Sequence, residues 1–83
     1  MSTRQLVIHV PELVLLAEKT DEKAFAHELR MLAAIKLYEP GRLSSGRAAE
    51  LAGVSRVEFL LSLKRYHVFP LEAELQELEQ HHA

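Results

Sequence analysis

The chain has no cysteine, so neither disulfides nor thiolate metal sites are available to it. Its three glycines, Gly41, Gly46 and Gly53, are too scattered to form a glycine-rich phosphate loop. No apolar run approaches the roughly 20 residues that span a bilayer, and the first residues lack a signal-peptide pattern. A soluble, cytoplasmic protein without a membrane partner is the expectation. Of the five histidines, His9, His27 and His67 are far apart, no HExxH spacing occurs, and His81 and His82 fall in a terminal stretch that solvent should claim. The carboxylate pair Asp21 and Glu22 reads as N-terminal helix charge, not as a catalytic dyad. We therefore expect no enzyme, no metal and no cofactor.

What is present is one small domain's worth of chain, 83 residues with 48% hydrophobic content. A chain this short buries a modest fraction of its surface, which makes association a natural source of extra stability. The expected fold is mainly α: an N-terminal β-strand, then helices including a helix-turn-helix, then a short strand and an amphipathic tail, the whole dimeric. Three regions follow: 1–40 for dimerisation, 41–67 for the helix-turn-helix, and 68–83 for partner binding.

Leu6 to Val10, LVIHV, is β-branched and stops at Pro11, which predicts a strand. Its partner must be the stretch His67 to Phe69 or the same strand of a second chain. Glu12 to Lys19 can form a short helix behind Pro11. Thr20 or Asp21 can cap a longer helix reaching Tyr38, with Phe25, Leu29, Leu32 and Ile35 turned inward and Pro40-Gly41 ending it. The order strand, helix, helix over residues 5–38 is that of a ribbon-helix-helix dimer. The strand's outward face, Gln5, Val7 and His9, is poor in groove-reading groups, so dimerisation is the better use of the segment.

Residues 43–66, LSSGRAAELAGVSRVEFLLSLKRY, have the spacing of two helices meeting at a glycine. Ser44 or Ser45 can cap the first, and Ala48, Ala49 and Ala52 allow a neighbour to approach closely. Gly53 supplies the positive φ of a sharp turn, and Val54 after it can enter the core. Ser55 with Glu58 three residues on is a capping box that starts a second helix running from Arg56 to Tyr66. Phe59 and Leu63 point inward, while Leu60 and Leu61 cannot both do so. Spacing of this kind fits an ordinary helical hairpin as well as a DNA reader.

Charge separates the two readings further. Residues 41–67 carry five cations against two carboxylates, net +3, between flanks of net −1 and −4. A basic island in an acidic chain is the footprint of a phosphate-contacting module, although a solvated mixed surface has the same arithmetic. In such a module Ser55, Arg56 and Val57 would meet base edges, Arg56 bidentately on guanine and Val57 on a thymine methyl. Arg47 and the amides near Ser45 and Gly46 would lie by one phosphate backbone, and Lys64 and Arg65 by another. Beyond Phe69, the segment LEAELQELEQ repeats Leu71, Leu75 and Leu78 at helical spacing against glutamates. Such a helix is marginal alone and needs a surface, either its own domain or a basic groove on another protein.

The run GRLSSGRAAELAGVSRVEFL, preceded by KLYEPG and by a strand of the type LVIHVPE, resembles a family of small prokaryotic proteins long grouped as uncharacterised. Its members are regarded as antitoxins with a helix-turn-helix, encoded beside PIN-domain-like toxins. The resemblance covers about residues 4–70 and is carried by Lys36 to Tyr38, Gly41, Gly46 to Gly53 with Arg47 in place of lysine, and Ser55 to Leu60. The chain departs from the pattern at Val57, where an aromatic is frequent, and near Leu61, where acidic residues are. The resemblance implies a type II antitoxin that binds its own double-stranded promoter DNA as a homodimer, with half-sites about one DNA turn apart. It further implies a PIN-domain-like toxin as partner; by position and chemistry, not by the family pattern, the tail residues Phe69, Leu71, Leu75 and Leu78 are expected to hold it, covering its basic RNA-facing surface. A stand-alone helix-turn-helix regulator and a protein-interaction scaffold whose motif does not bind DNA are the rival expectations.

Overall fold

The computed structural model describes residues 2–70. Four α-helices are present among them: α1 (Glu12–Ala17), α2 (Glu22–Tyr38), α3 (Ser45–Ala52) and α4 (Arg56–Ser62), with α4 running on into a 3₁₀ turn, Leu63–Tyr66. The expected single helix from Arg56 to Tyr66 thus tightens at Leu63. It ends where His67 takes a left-handed backbone, φ +59°, and returns its amide to Lys64 and Leu63 carbonyls.

Local signals explain where the helices begin. Asp21 caps α2, its carboxylate accepting from the Ala24 amide at 2.8 Å. Ser44, not Ser45, caps α3 through the Arg47 amide at 3.2 Å, and Ser55 caps α4 through the Glu58 amide at 3.1 Å. α1 starts behind Pro11, whose missing amide costs nothing at a helix start. Gly41, at φ +83°, and Gly53, at φ +75°, sit in the turns after α2 and α3. At Gly53 the amide bonds Glu50 and Ala49 carbonyls, closing α3 in the left-handed manner that a β-carbon would strain.

The core lies where α2, α3, α4 and the 3₁₀ turn meet. Met31, Ala34, Ile35 and Tyr38 of α2 face Ala48, Ala49 and Ala52 of α3, with Phe59, Leu60 and Leu63 closing the third side. Small residues on both α2 and α3 let those backbones approach, and the larger rings fill the space below. The Tyr38 and Phe59 rings meet edge to face, centroids 5.4 Å apart at 85°.

The structure corrects two expectations, the strand and the buried stripe of α2, and separates the two leucines that could not both turn inward. No strand forms among the described residues: Leu6 to Val10 lies exposed without backbone partners, and His67 to Phe69 does not pair with it. A strand needs a second edge, and the described residues do not supply one. The inward stripe of α2 is Met31, Ala34, Ile35 and Tyr38, so that of the four positions expected only Ile35 is buried. Phe25 and Leu29 are half-covered and Leu32 is exposed, because α3 packs on the last turns of α2 alone. Of the leucine pair, Leu60 enters the core and Leu61 stays out, 46% exposed.

α1 contributes no buried residue, and a shallow groove between it and α2 is lined by Leu15, Leu16, Lys19 and Ala24. No helix among the described residues is long and apolar enough to cross a membrane.

Candidate nucleic-acid interface

Two helices joined by Gly53, Val54 and Ser55 give the helix-turn-helix that the spacing predicted. One contact that no local pattern announces holds it in shape. The Arg30 guanidinium, from α2, donates to the Leu51 carbonyl at 2.7 Å and to the Glu50 carbonyl at 3.5 Å. It thereby satisfies the carbonyl end of α3 just where the chain turns, and its charge complements the negative end of the helix dipole. A β-carbon on Gly53 would stand 3.4 Å from the same guanidinium. We expect Arg30→Ala to cost about 1–2 kcal/mol, the range for a hydrogen bond from a charged group with partial solvent compensation. Thermal unfolding would show it as a fall of several degrees, with Arg30→Lys recovering part of the loss.

The expected base-reading residues are placed unevenly. Ser55 is exposed, but its hydroxyl is engaged as the α4 cap. Arg56 is half-buried, and its Nε donates to the Ser45 hydroxyl at 2.9 Å, tying the start of α4 to the start of α3. Val57 is half-buried against the core, which leaves only part of its side chain open to a thymine methyl. The side chains that do project from α4 follow helical spacing: Ser55, Glu58 and Leu61, with Arg65 beyond them in the 3₁₀ turn. A carboxylate and a leucine therefore occupy the middle of the outward stripe.

The expected phosphate contacts also divide. Ser45 is only 3% exposed, and its hydroxyl accepts from Arg56 Nε. Gly46 is half-buried in the first turn of α3. Arg47 is exposed but forms an i,i+3 pair with Glu50 at 3.1 Å, which costs it part of its field. Arg42, Lys64 and Arg65 are exposed, the last with its guanidinium 5.4 Å from the Tyr66 ring centroid. Tyr66 in turn reaches Glu28 of α2, with oxygens 3.4 Å apart. The structure thus keeps Arg42, Lys64 and Arg65 as solvent-facing cations on this module and puts Arg56 at the seam between its two helices.

Sequence reasoning missed the groove beside α4, lined by His27, Met31, Val54, Glu58, Leu61 and Arg65. The unplaceable leucine of the pair Leu60 and Leu61 was the one signal for it. Among the described residues, no three His, Asp or Glu side chains are gathered tightly enough to hold a metal ion. Phe69 is 90% exposed, and the remaining expected partner contacts, Leu71, Leu75 and Leu78, lie outside the described residues.

The chain is similar to a UPF0175 protein of Archaeoglobus fulgidus, 46% identical over 59 residues, which cover 71% of this chain and 67% of that protein. A UPF0175 protein of Aeropyrum pernix is 36% identical over 80 residues, 96% of this chain and 84% of the relative. No solved structure matches. The model of the uncharacterised protein family UPF0175 matches residues 1–83, and the chain belongs to that family.

Proposed function

We propose that this protein is the antitoxin of a type II toxin-antitoxin pair: it binds its own promoter DNA through α3 and α4 and neutralises a toxin nuclease through its acidic C-terminal tail. The observation that carries the DNA half is the disposition of α3 and α4 about Gly53, capped at both helix starts and locked by Arg30. The local net charge of +3 supports it, since each cation placed on a phosphate releases counterions. The toxin half rests on the resemblance and on the tail's chemistry, four glutamates interleaved with leucines, which suits a cationic nuclease surface. The partner is taken to be PIN-domain-like, and Phe69 is the described residue most open to it.

An N-terminally tagged chain, recovered from source cells after nuclease treatment, tests this reading directly. A stoichiometric small nuclease identified by mass spectrometry supports it. Recovery of the protein alone turns the reading into that of a stand-alone regulator.

The DNA half is tested by fluorescence anisotropy on the region upstream of its own coding sequence. Lys64→Ala is expected to weaken every duplex alike and to lower the log-log salt slope by about 1. Arg56→Ala is expected to lose about 1–3 kcal/mol of discrimination at one base pair, provided its guanidinium exchanges Ser45 for a base edge. Arg56→Lys keeps the charge but not the fork, so it should bind non-cognate DNA normally and still discriminate poorly. Uniform loss on all sequences from Arg56→Ala would remove it from base reading.

One observation favours a second reading. Leu61 projects from the middle of the outward stripe, beside Met31 and Val54, where a groove reader would carry polar groups. On that reading the module is a protein-interaction surface, and the full chain shows no salt-dependent DNA binding.

A further inference from the structure

Among the described residues, most of the exposed large hydrophobic side chains lie in the N-terminal segment, α1 and the adjoining face of α2. Leu6, Val7 and Ile8 are 84%, 76% and 69% exposed, and Leu13 and Leu16 of α1 and Leu32 of α2 are exposed as well. Among the described residues, the backbone amides and carbonyls of residues 4–10 have no hydrogen-bond partner. The segment is nevertheless built as a strand: β-branched, free of glycine, and closed by Pro11. Of its two candidate partners, the stretch His67 to Phe69 of the same chain does not pair with it.

We propose that this surface is a homodimer interface, in which residues 5–10 of two copies pair as an antiparallel two-stranded ribbon that lies over α1 and α2 of both. Four observations select a second copy as the occupant. An open strand edge is satisfied by another strand, and the same segment of a second chain has matching length and propensity. Antiparallel pairing of a segment with itself closes about a twofold axis and leaves no further edge to propagate on that side. With the axis near Ile8, Leu6 of each chain lies opposite Val10 of the partner subunit. Alternation then puts Leu6, Ile8 and Val10 on one wholly apolar face, and Gln5, Val7 and His9 on the other.

Size is the fourth observation. Burying one Leu, Ile or Val removes about 60–120 Å² of apolar surface, so Leu6, Ile8, Leu13, Val14, Leu16 and Leu32 together come to about 350–700 Å² per chain. A standard stable interface takes about 800 Å² per partner, which backbone and rim atoms bring within reach. The half-covered Phe25 and Leu29 continue this surface along α2.

The interface stands apart from the DNA reading, because it uses residues 5–32 and none of the helix-turn-helix. Its test therefore contains no DNA. Sedimentation equilibrium of the full chain is expected to give a dimer at micromolar concentration, and amide exchange is expected to be slow at alternate residues within Val7 to Val10, because only every second amide faces the partner strand. The double variant Leu6→Lys, Ile8→Lys should dissociate at least 100-fold more readily and exchange those amides fast. Its helical circular dichroism should persist, because neither side chain touches the core of the single chain. A wild-type chain that stays monomeric at 100 µM overturns the proposal. So does a dimer that survives this double variant but falls apart on Leu61→Lys, and so does a dimer whose Val7 to Val10 amides all exchange freely.

Discussion

Phe59→Ala is expected to remove from about a quarter to all of the protein's stability. Phe59 is fully buried at the point where α2, α3 and α4 converge, and its ring carries the edge-to-face contact with Tyr38. Removing a buried phenylalanine costs about 3–5 kcal/mol, because the ring's transfer energy is lost and a cavity stays behind. The surroundings are poorly able to collapse into that cavity, since Ala34, Ala48 and Ala52 already bring the backbones of α2 and α3 together. An 83-residue chain has about 4–12 kcal/mol of total stability at the usual 0.05–0.15 kcal/mol per residue, so one ring is a large fraction of it. At about 4–8 °C per kcal/mol for a domain of this size, the midpoint should fall by at least 12 °C. Leu61→Ala is the matched control, two residues away on the same helix but projecting into solvent, and should shift the midpoint by no more than a few degrees. A Phe59→Ala midpoint within about 3 °C of the wild type would mean that α4 does not pack as described. DNA binding should fall with the folded fraction in Phe59→Ala, and for that reason it is no evidence about base reading.

The contrast between these neighbours marks how far the sequence could be read. Much of what is decided within four residues was legible: a cap at Thr20 or Asp21, a cap at Ser44 or Ser45, the cap at Ser55, the left-handed close at Gly53, and the helix end at Gly41. Each is a short-range match between a side chain or a φ angle and backbone groups beside it. What required knowledge of a neighbour was not legible. α2 carries two apolar stripes, one through Phe25, Leu29 and Leu32 and one through Met31, Ile35 and Tyr38. Only the small face of α3 decides between them, and it chooses the second by admitting Ala34. The strand propensity of Leu6 to Val10 is local, but pairing is not, so the segment reads as a strand and stands unpaired among the described residues. Arg30 makes the same point for polar groups. Its target carbonyls lie 20 and 21 residues away, and no spacing rule connects an exposed arginine on one helix to the end of another. At the candidate interface, Arg56 was singled out for its chemistry, yet its Nε is engaged by Ser45, a partner eleven residues back. Its use in reading bases therefore depends on an exchange of hydrogen bonds that spacing alone does not disclose.

On the proposed antitoxin reading, deletion of residues 71–83 is expected to abolish toxin neutralisation, with affinity for the nuclease falling at least 1,000-fold, while promoter binding survives. Both halves of that expectation follow from where charge and core reside. The described core is built from residues 31–63, so it retains all of its buried side chains after the deletion. The deletion removes all four glutamates beyond Phe69 and no lysine or arginine, which moves the formal net charge from −2 to +2. Loss of the leucines Leu71, Leu75 and Leu78 removes apolar anchors that an amphipathic segment would lay into a groove, and loss of the glutamates removes attraction to a basic surface. For DNA the sign reverses. A chain four charges more positive should associate with any duplex faster and more tightly at low salt, and the gain should shrink as ionic strength rises past about 0.15 M, where the Debye length is about 8 Å. Two titrations on one preparation read both effects: inhibition of the nuclease on an RNA substrate, and anisotropy of promoter DNA at three salt concentrations. Retained inhibition would move the toxin contact onto residues 2–70, with Phe69 and the groove around Leu61 first in line. Lost inhibition together with lost promoter binding, in a truncated chain that still melts cooperatively, would mean that the tail belongs to the DNA-bound form and that the two activities share one surface.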